Sequence, residues 1–189
     1  MAIVRTYRLD EKNVLQFREA WFQQFEDDEV GQFVINHGVV GHMSETSDVQ
    51  DVDNDRADQL FAGFMEACAE EGYEEIKDED QSWIIVQYAL KSASGTERDQ
   101  YLEKKAKEAL TGHLAWRGLG TVESSDFSTR KLNIRVLSPA PKLAVPAIKT
   151  CIREAKLDFT KLSIGVAPYA DLSKLKMAHP MPPKPMNVD

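Results

Sequence analysis

The sequence is poor in the residues and motifs that carry out chemistry. Only two cysteines and four histidines occur among 189 residues, and neither cysteine has a histidine or a cluster of cations beside it to activate the thiol. The chain has no GxSxG nucleophile motif, no HExxH zinc motif and no paired CxxC. The glycines of "GLGTVE" are too few to cradle a phosphate. These absences argue against an enzyme, so we assign no catalytic residue and no cofactor.

Long apolar runs are also missing. No segment approaches the roughly 20 apolar residues that span a bilayer, and the N-terminus "MAIVRTYRLDEK" lacks the apolar stretch of a signal peptide. Cys68 and Cys151 lie far apart in predicted helices and are typical of small buried residues in a reducing compartment. With 42% hydrophobic residues available for a core, we expect a folded cytoplasmic protein that does not contact membranes.

Charge is unevenly distributed along the chain. Residues 1–80 contain 21 acidic and 6 basic side chains, a net of −15, whereas residues 81–189 carry a net of +7. This reversal predicts an acidic domain 1–80, a second domain 81–180 and a proline-rich tail 181–189. The negative field of the first domain repels nucleic acid and favours a basic protein partner.

Apolar periodicity predicts an α+β unit in the acidic domain. "IVRTYRL" is typical of a strand, and apolar side chains at helical spacing predict a helix over residues 11–27. "GQFVINH" is typical of a short strand, and Gly38 and Gly41 predict a tight reversal into the next one. A second helix is predicted over "ADQLFAGFMEACAEEGYEEI", with Gly72 as its stop signal.

The second domain is predicted to have the element order β-α-β-β-α-β. Its segments are "SWIIVQYAL", "TERDQYLEKKAKEALTGHL", "GLGTVES", "RKLNIRVLS", "PAIKTCIREAKL" and "KLSIGVA". This order is typical of the ferredoxin-like split βαβ sandwich. The proline-rich end "HPMPPKPMNVD" predicts an extended tail. Together the two domains predict an α+β fold.

The aspartates of "DVQDVDND" (48–55) raise the question of a calcium site. Asp51, Asp53 and Asp55 stand at the first, third and fifth positions of an EF-hand loop. Arg56 replaces the glycine of the sixth position and Ala62 the bidentate glutamate of the twelfth, so the coordination shell cannot close. We therefore expect a solvated loop that places negative charge at a helix N-terminus.

The histidines of "NHGVVGH" (36–42) are the only candidates for a transition-metal site. His37 and His42 would need help from Asp48 or from a remote residue, because such sites need three or four convergent ligands. Two imidazoles across a tight turn can face each other, so a transition-metal site stays open as an alternative. We expect histidines on a strand-turn-strand, and no metal.

The same glycines resemble the turn of a WGR domain. This small α+β module occurs beside poly-ADP-ribose polymerase catalytic domains, and has a strand, a W-G-R-x-G turn, further strands and a helix that ends in Gly-Tyr. Here the turn aligns with "HGVVG" (37–41) and the helix end with Gly72-Tyr73, so the resemblance covers residues 1–77. The helix predicted over residues 11–27 stands where the family has a strand.

The resemblance implies nucleic-acid binding where the family tryptophan stacks and the family arginine reaches phosphate. His37 and Val39 stand at those two positions. Valine offers neither charge nor a hydrogen bond, and the net charge of the domain repels a phosphate backbone. We therefore expect a turn that is retained for its glycines, and no nucleic-acid partner.

An acidic protein without an assignable active site resembles the bacterial immunity proteins, which neutralise a toxin by covering its active site. Complementary charge speeds the encounter with a basic toxin domain. The expected function is therefore non-enzymatic protein binding. Two alternatives stay open: a WGR-type regulatory or nucleic-acid-associated module acting with a catalytic partner such as an ADP-ribosyltransferase, and a small enzyme of unrecognised type.

Two groups of residues are candidates for contact with the partner. The first is the acidic segment, which we expect to share one edge with Glu29. Its members are Glu45, Asp48, Asp51, Asp53, Asp55 and Asp58. The second group is Trp116 and Arg117 of "GHLAWRGLG", in the basic domain.

Overall fold

The chain has an α+β fold, as predicted. The computed structural model describes residues 2–25, 29–93 and 95–189. These ranges contain two antiparallel sheets and three α-helices. None of the helices described is long and apolar enough to cross a membrane.

Two compact units divide the chain. Unit 1 consists of Met1–Ile76 together with Trp116–Gly118, and unit 2 consists of Lys77–Ala115 and Leu119–Asp189. A three-residue segment from late in the sequence therefore belongs to the unit formed by the first 76 residues.

Unit 1 is a four-stranded antiparallel meander with one helix. Its elements are β1 Ala2–Leu9, β2 Leu15–Gln24, β3 Gly31–Val39, β4 Glu45–Val52 and α1 Asn54–Glu70. The strands lie side by side in chain order, so β1 and β4 form the two edges of the sheet.

The core of unit 1 lies between its sheet and α1. Phe33 of β3 packs with Phe64 and Cys68 of the helix, and each large apolar side chain buried in this way contributes about 1.5–3 kcal/mol. Gly72 ends the helical segment with φ 76°, and the backbone N–H of Tyr73 donates to the carbonyl of Cys68 at 2.8 Å. The predicted stop signal is therefore confirmed.

The helix predicted over residues 11–27 is wrong, because its centre is strand β2. Phe17 and Trp21 face one side of the sheet and Ala20 faces α1 on the other. Since β2 lies between β1 and β3 and has apolar residues on both faces, its pattern imitates helical spacing. Residues 26–27 of the predicted helix lie outside the described residues.

Unit 2 has one five-stranded sheet and two helices. Its elements are β5 Ser82–Ala89, α2 Glu97–Ala115, β6 Thr121–Ser128, β7 Lys131–Ser138, α3 Pro141–Glu154, β8 Leu162–Pro168 and β9 Lys176–His179. The strand order is β6-β7-β5-β8-β9, with antiparallel neighbours throughout. β5 and β6 therefore run parallel on either side of β7. β9 is an addition to the six predicted elements, and the ferredoxin-like assignment stays a prediction.

The core of unit 2 combines the two helices with the central strands. Fully buried residues on α2 and α3 include Leu110, Leu114 and Ile148, and those on β5 include Ile84 and Val86. The two helices also contact each other. The amphipathic pattern is strong in α3 and weaker in α2, whose buried residues Ala106, Leu110 and Leu114 still lie on one face.

The C-terminal residues follow β9 without further regular structure. The Gln87 side-chain amide donates to the carbonyl of Asn187 at 2.8 Å, and that of Asn133 donates to the carbonyl of Val188 at 2.9 Å. Met186 sulfur lies so close to Gly165 that a Cβ there would meet it at 2.7 Å. The tail therefore packs against the sheet of unit 2 through backbone acceptors.

Candidate protein-binding site

The acidic residues singled out from the sequence lie on a strand and a helix start, so the expected solvated loop is wrong. In chain order they are Glu45, Asp48 and Asp51 of β4, the α1 cap Asp53, and Asp55 and Asp58 of α1. We call these six residues the acidic edge. Residues 45–51 are all exposed, so no apolar alternation marks β4 in the sequence.

β4 is the outer strand of the unit 1 sheet. It pairs with β3 in a register that sets Thr46 opposite Asn36 and Asp48 opposite Val34. Within the described part of the chain no strand pairs with its other side, so outward N–H and C=O groups are available there. Charges on such a strand oppose pairing with a like-charged strand and favour one that carries cations.

A β-bulge sets the direction of the acidic end of β4. The register shifts between Gly31 and Phe33, where β4 has one more residue than β3. Asp51 adopts φ 56° there, a conformation that aspartate and asparagine tolerate better than most residues. A Cβ at Gly31 would lie 2.3 Å from the carbonyl oxygen of Gln23, so only glycine fits the close strand approach. Backbone geometry thus fixes where Asp51 points.

Asp53 has a structural role as the N-cap of α1. Its carboxylate accepts from the backbone N–H of Arg56 at 2.7 Å, which satisfies one of the free donors at the helix start. Asp55 in the first turn adds negative charge where the helix dipole favours it. Asp48 accepts from the side-chain amides of Gln32 at 3.2 Å and of Gln50, and neither bond reaches outside the sheet edge.

An open groove of about 540 Å³ lies between α1 and β3. Its apolar lining includes Ile35, Leu60 and Phe64, and nothing lies within 4 Å of a Cβ placed on Gly63. Val49 of β4 pairs with Phe33, another lining residue, and is itself 46% exposed. The groove therefore borders the acidic edge on the helix side of the sheet.

The histidines lie on a strand and in the turn that follows it, as expected, but Gly38 lies within β3 and takes no part in the predicted reversal. His37 is the exposed partner of Glu45, with 3.6 Å between Nε2 and a carboxylate oxygen. His42 is exposed in the turn after β3, where Gly41 adopts φ 95°. Among residues 2–25, 29–93 and 95–189, no three His, Cys, Asp or Glu side chains are grouped to hold a metal ion.

Trp116 and Arg117 contribute to the packing of unit 1. Their carbonyl oxygens accept from the backbone N–H groups of Ser44 at 2.9 Å and Gly41 at 2.8 Å. The Trp116 ring meets Trp21 edge-on with 6.0 Å between the ring centres. The connection between β3 and β4 thus supplies donors to a distant segment of the chain, which no sequence pattern indicated.

A row of polar side chains, buried at Glu19 and Asn36, crosses the four strands of the unit 1 sheet. Arg5 forms a hydrogen-bonded ion pair with Glu19, which is 2% exposed. Glu19 lies opposite Asn36, and Asn36 accepts from the Thr46 hydroxyl at 2.8 Å. Burial raises the pKa of Glu19, and the guanidinium of Arg5 opposes that rise. The row links all four strands. In the sequence it is marked only by a polar residue at one position of each strand.

Comparison with models of known families, with curated proteins and with solved structures gives no match to this chain, so the assignment of function depends on the geometry described above.

Proposed function

We propose that this protein binds a basic protein partner through the acidic edge. One observation carries the proposal: seven consecutive residues of an edge strand, 45–51, are exposed, and three of them are acidic. Asp53, Asp55 and Asp58 extend the same negative charge into α1. A field of this sign accelerates association with a cationic surface.

The partner contributes an extended segment that pairs with β4. Backbone hydrogen bonds to the open side of the strand supply affinity, while alternate side chains supply specificity. Lysine or arginine side chains of the segment meet Asp48 and Asp51, and apolar ones reach past Val49 towards the groove. Both kinds of contact use residues that are exposed in the free protein.

The biological role that fits this chemistry is neutralisation of a toxin whose active site is basic. Covering that site with an acidic strand blocks access by competition and needs no catalytic group. The role places the protein in the cytoplasm, where the buried thiols of Cys68 and Cys151 stay reduced.

The binding chemistry is tested with a short peptide of alternating lysine and valine, and with its glutamate-valine counterpart. Amide shifts of the full-length protein should change along β4 with the cationic peptide and not with the anionic one. The edge variant combines Asp48→Asn, Asp51→Asn and Asp58→Asn, and the matched control combines Glu66→Gln, Glu70→Gln and Glu75→Gln. Each removes the same charge from exposed positions.

The edge variant should bind the cationic peptide about tenfold more weakly at low salt, because each exposed ion pair contributes about 0.2–1 kcal/mol. The control should change affinity by less than about threefold, and the two variants should converge at about 0.5 M salt. Equal weakening in both variants would refute the site. Tighter binding to a DNA duplex than to the peptide would favour the WGR-type alternative.

The toxin-neutralising role needs a test in cells. In cells that produce a toxin encoded by an adjacent gene, co-production of this protein should restore growth. The edge variant should restore growth less well than the control variant. Rescue that is equal for both variants would place the inhibitory surface elsewhere.

A further inference from the structure

Unit 2 contains a cavity of about 520 Å³ at one end of its sheet. It is lined by the end of β5, the first turns of α2 and the segment after α3, and it is open to solvent on one side. This volume falls within the roughly 300–1,000 Å³ of small-molecule sites. We call it the basic cavity because four of its lining residues are cations: Lys91, Arg98, Lys156 and Lys161.

The two carboxylates of the basic cavity are already engaged by local donors. Asp99 accepts from the Ser92 hydroxyl at 2.6 Å and from the Thr96 N–H at 2.8 Å. Asp158 accepts from the Thr160 hydroxyl at 2.6 Å and from the N–H of Thr160 at 3.0 Å. These donors lower the pKa of both carboxyl groups. Both carboxylates therefore stay charged, and the four cations of the lining exceed them by two.

Two of the cations are free to meet a ligand. In the described ranges the ammonium groups of Lys91 and Lys156 take part in no hydrogen bond or ion pair, whereas Lys161 lies 3.6 Å from Asp158. Lys156 adopts φ 56° directly after α3, which fixes its backbone at the cavity wall. The first turn of α2 adds the positive end of a helix dipole.

Tyr88 lines the same cavity and carries a buried hydroxyl. The residue is 1% exposed, yet its hydroxyl has no hydrogen-bond partner among the described residues. Burial raises the pKa of this hydroxyl, and the charge of Asp158 raises it further. The group therefore stays protonated and able to donate. A buried donor without a partner costs folding free energy, which a ligand oxygen would recover.

We propose that the basic cavity binds a small phosphate monoester. The phosphate oxygens accept from Lys91, Lys156 and the Tyr88 hydroxyl, and the organic group of the ester lies against Leu102 and Leu157. Phosphate suits this site because it has several acceptor oxygens and about two negative charges, which match point-charge ammonium donors. The proposal is independent of the acidic edge, which belongs to unit 1.

The proposal is tested by titrating three probes into the full-length protein and following its amide chemical shifts. The probes are phenyl phosphate, inorganic phosphate and phenol. Phenyl phosphate should bind saturably, with shifts in residues 88–92, 96–102 and 156–161. Inorganic phosphate should move the same amides with at least about fivefold lower affinity, and phenol should not move them. No saturable shift up to about 20 mM phenyl phosphate, or equal shifts with phenol, would overturn the proposal.

Matched variants separate the site from general charge. Lys91→Gln with Lys156→Asn should weaken phenyl phosphate at least about tenfold, and Lys104→Gln with Lys142→Asn should weaken it less than about twofold. Tyr88→Phe should weaken binding severalfold, while its unfolding midpoint stays equal or rises because an unpartnered hydroxyl is gone. Binding that is unchanged in the first variant, or weakened equally in the second, would refute the assignment.

Discussion

Three residues that matter to the sites and packing of this protein are held by unusual backbone geometry. Asp51 at a bulge, Lys156 after α3 and Gly118 in the distant segment of unit 1 all adopt positive φ. Gly118 is the most constrained of the three, because a Cβ there would lie 2.4 Å from the ring of Phe17. Its carbonyl also accepts from the Tyr7 hydroxyl at 3.2 Å. The position therefore has neither conformational nor steric freedom.

The substitution Gly118→Ala should lower the free energy of unfolding by about 2–4 kcal/mol, since backbone strain and overpacking each cost about 1–3 kcal/mol. Gly112→Ala is the control, because Gly112 lies inside α2 with nothing within 4 Å of its Cβ. That substitution should stabilise by about 0.5–1 kcal/mol. Urea unfolding of both variants checks the pair. A Gly118→Ala protein as stable as the wild type would contradict the packing described here.

At the scale of elements, the sequence predicts helices better than strands. α1 and α2 were recognised because each has one buried face, and the start of α3 was missed by five residues because Pro146 lies inside the helix and Pro141 begins it. β2 was missed because both of its faces are apolar, and β4 because both are exposed. Alternation identifies a strand only when its two faces differ.

The start of α2 leads to a prediction about pH. Thr96 and Asp99 form a capping box, in which the carboxylate accepts from the Thr96 N–H and the Asp99 N–H donates to the Thr96 hydroxyl at 3.4 Å. Its donors, Ser92 first, lower the pKa of Asp99. Because the pKa is lowered on folding, the ionised Asp99 carboxylate stabilises the folded protein fully above the unfolded-state pKa of about 3.9. This stabilisation is lost as the pH falls through the folded-state pKa.

Asp99→Asn should therefore lower the free energy of unfolding by about 1 kcal/mol at pH 7, and the difference should shrink as the pH falls below about 4. Glu97→Gln, an exposed change in the same turn, should cost less than about 0.5 kcal/mol. Urea unfolding across a pH series measures both. A deficit for Asp99→Asn that stays constant down to pH about 2 would exclude the carboxylate as its origin.

For the whole molecule, charge and packing divide the chain at nearly the same place, with one exception. The sequence reverses its charge near residues 77–83, and the units separate between Ile76 and Lys77. The exception is Trp116–Gly118, which belongs to unit 1 through its backbone carbonyls. Such acceptors exist at every residue, so this membership leaves no mark in the amino-acid pattern. The candidate site was predictable as a set of acidic residues but not as a strand.

A fragment of residues 1–76 should be much less stable than unit 1 in the intact chain. Without Trp116–Gly118, the donors Gly41 N–H, Ser44 N–H and the Tyr7 hydroxyl lose their acceptors, and Phe17 loses a contact that buries it fully. Amide spectra of the fragment should show poor dispersion, and adding residues 77–189 as a second fragment should restore it. A fragment that is well dispersed alone, with an unchanged unfolding midpoint, would show that the segment is dispensable.

The late position of Trp116–Gly118 imposes an order on biosynthesis. When Ile76 leaves the ribosome, about 40 further residues must be translated before the missing segment of unit 1 exists. At about 5–20 residues per second, the nascent chain waits about 2–8 seconds in this state. During that interval the aromatic surface around Phe17 and Trp21 is uncovered, and it is the part of the newborn protein that a chaperone would recognise.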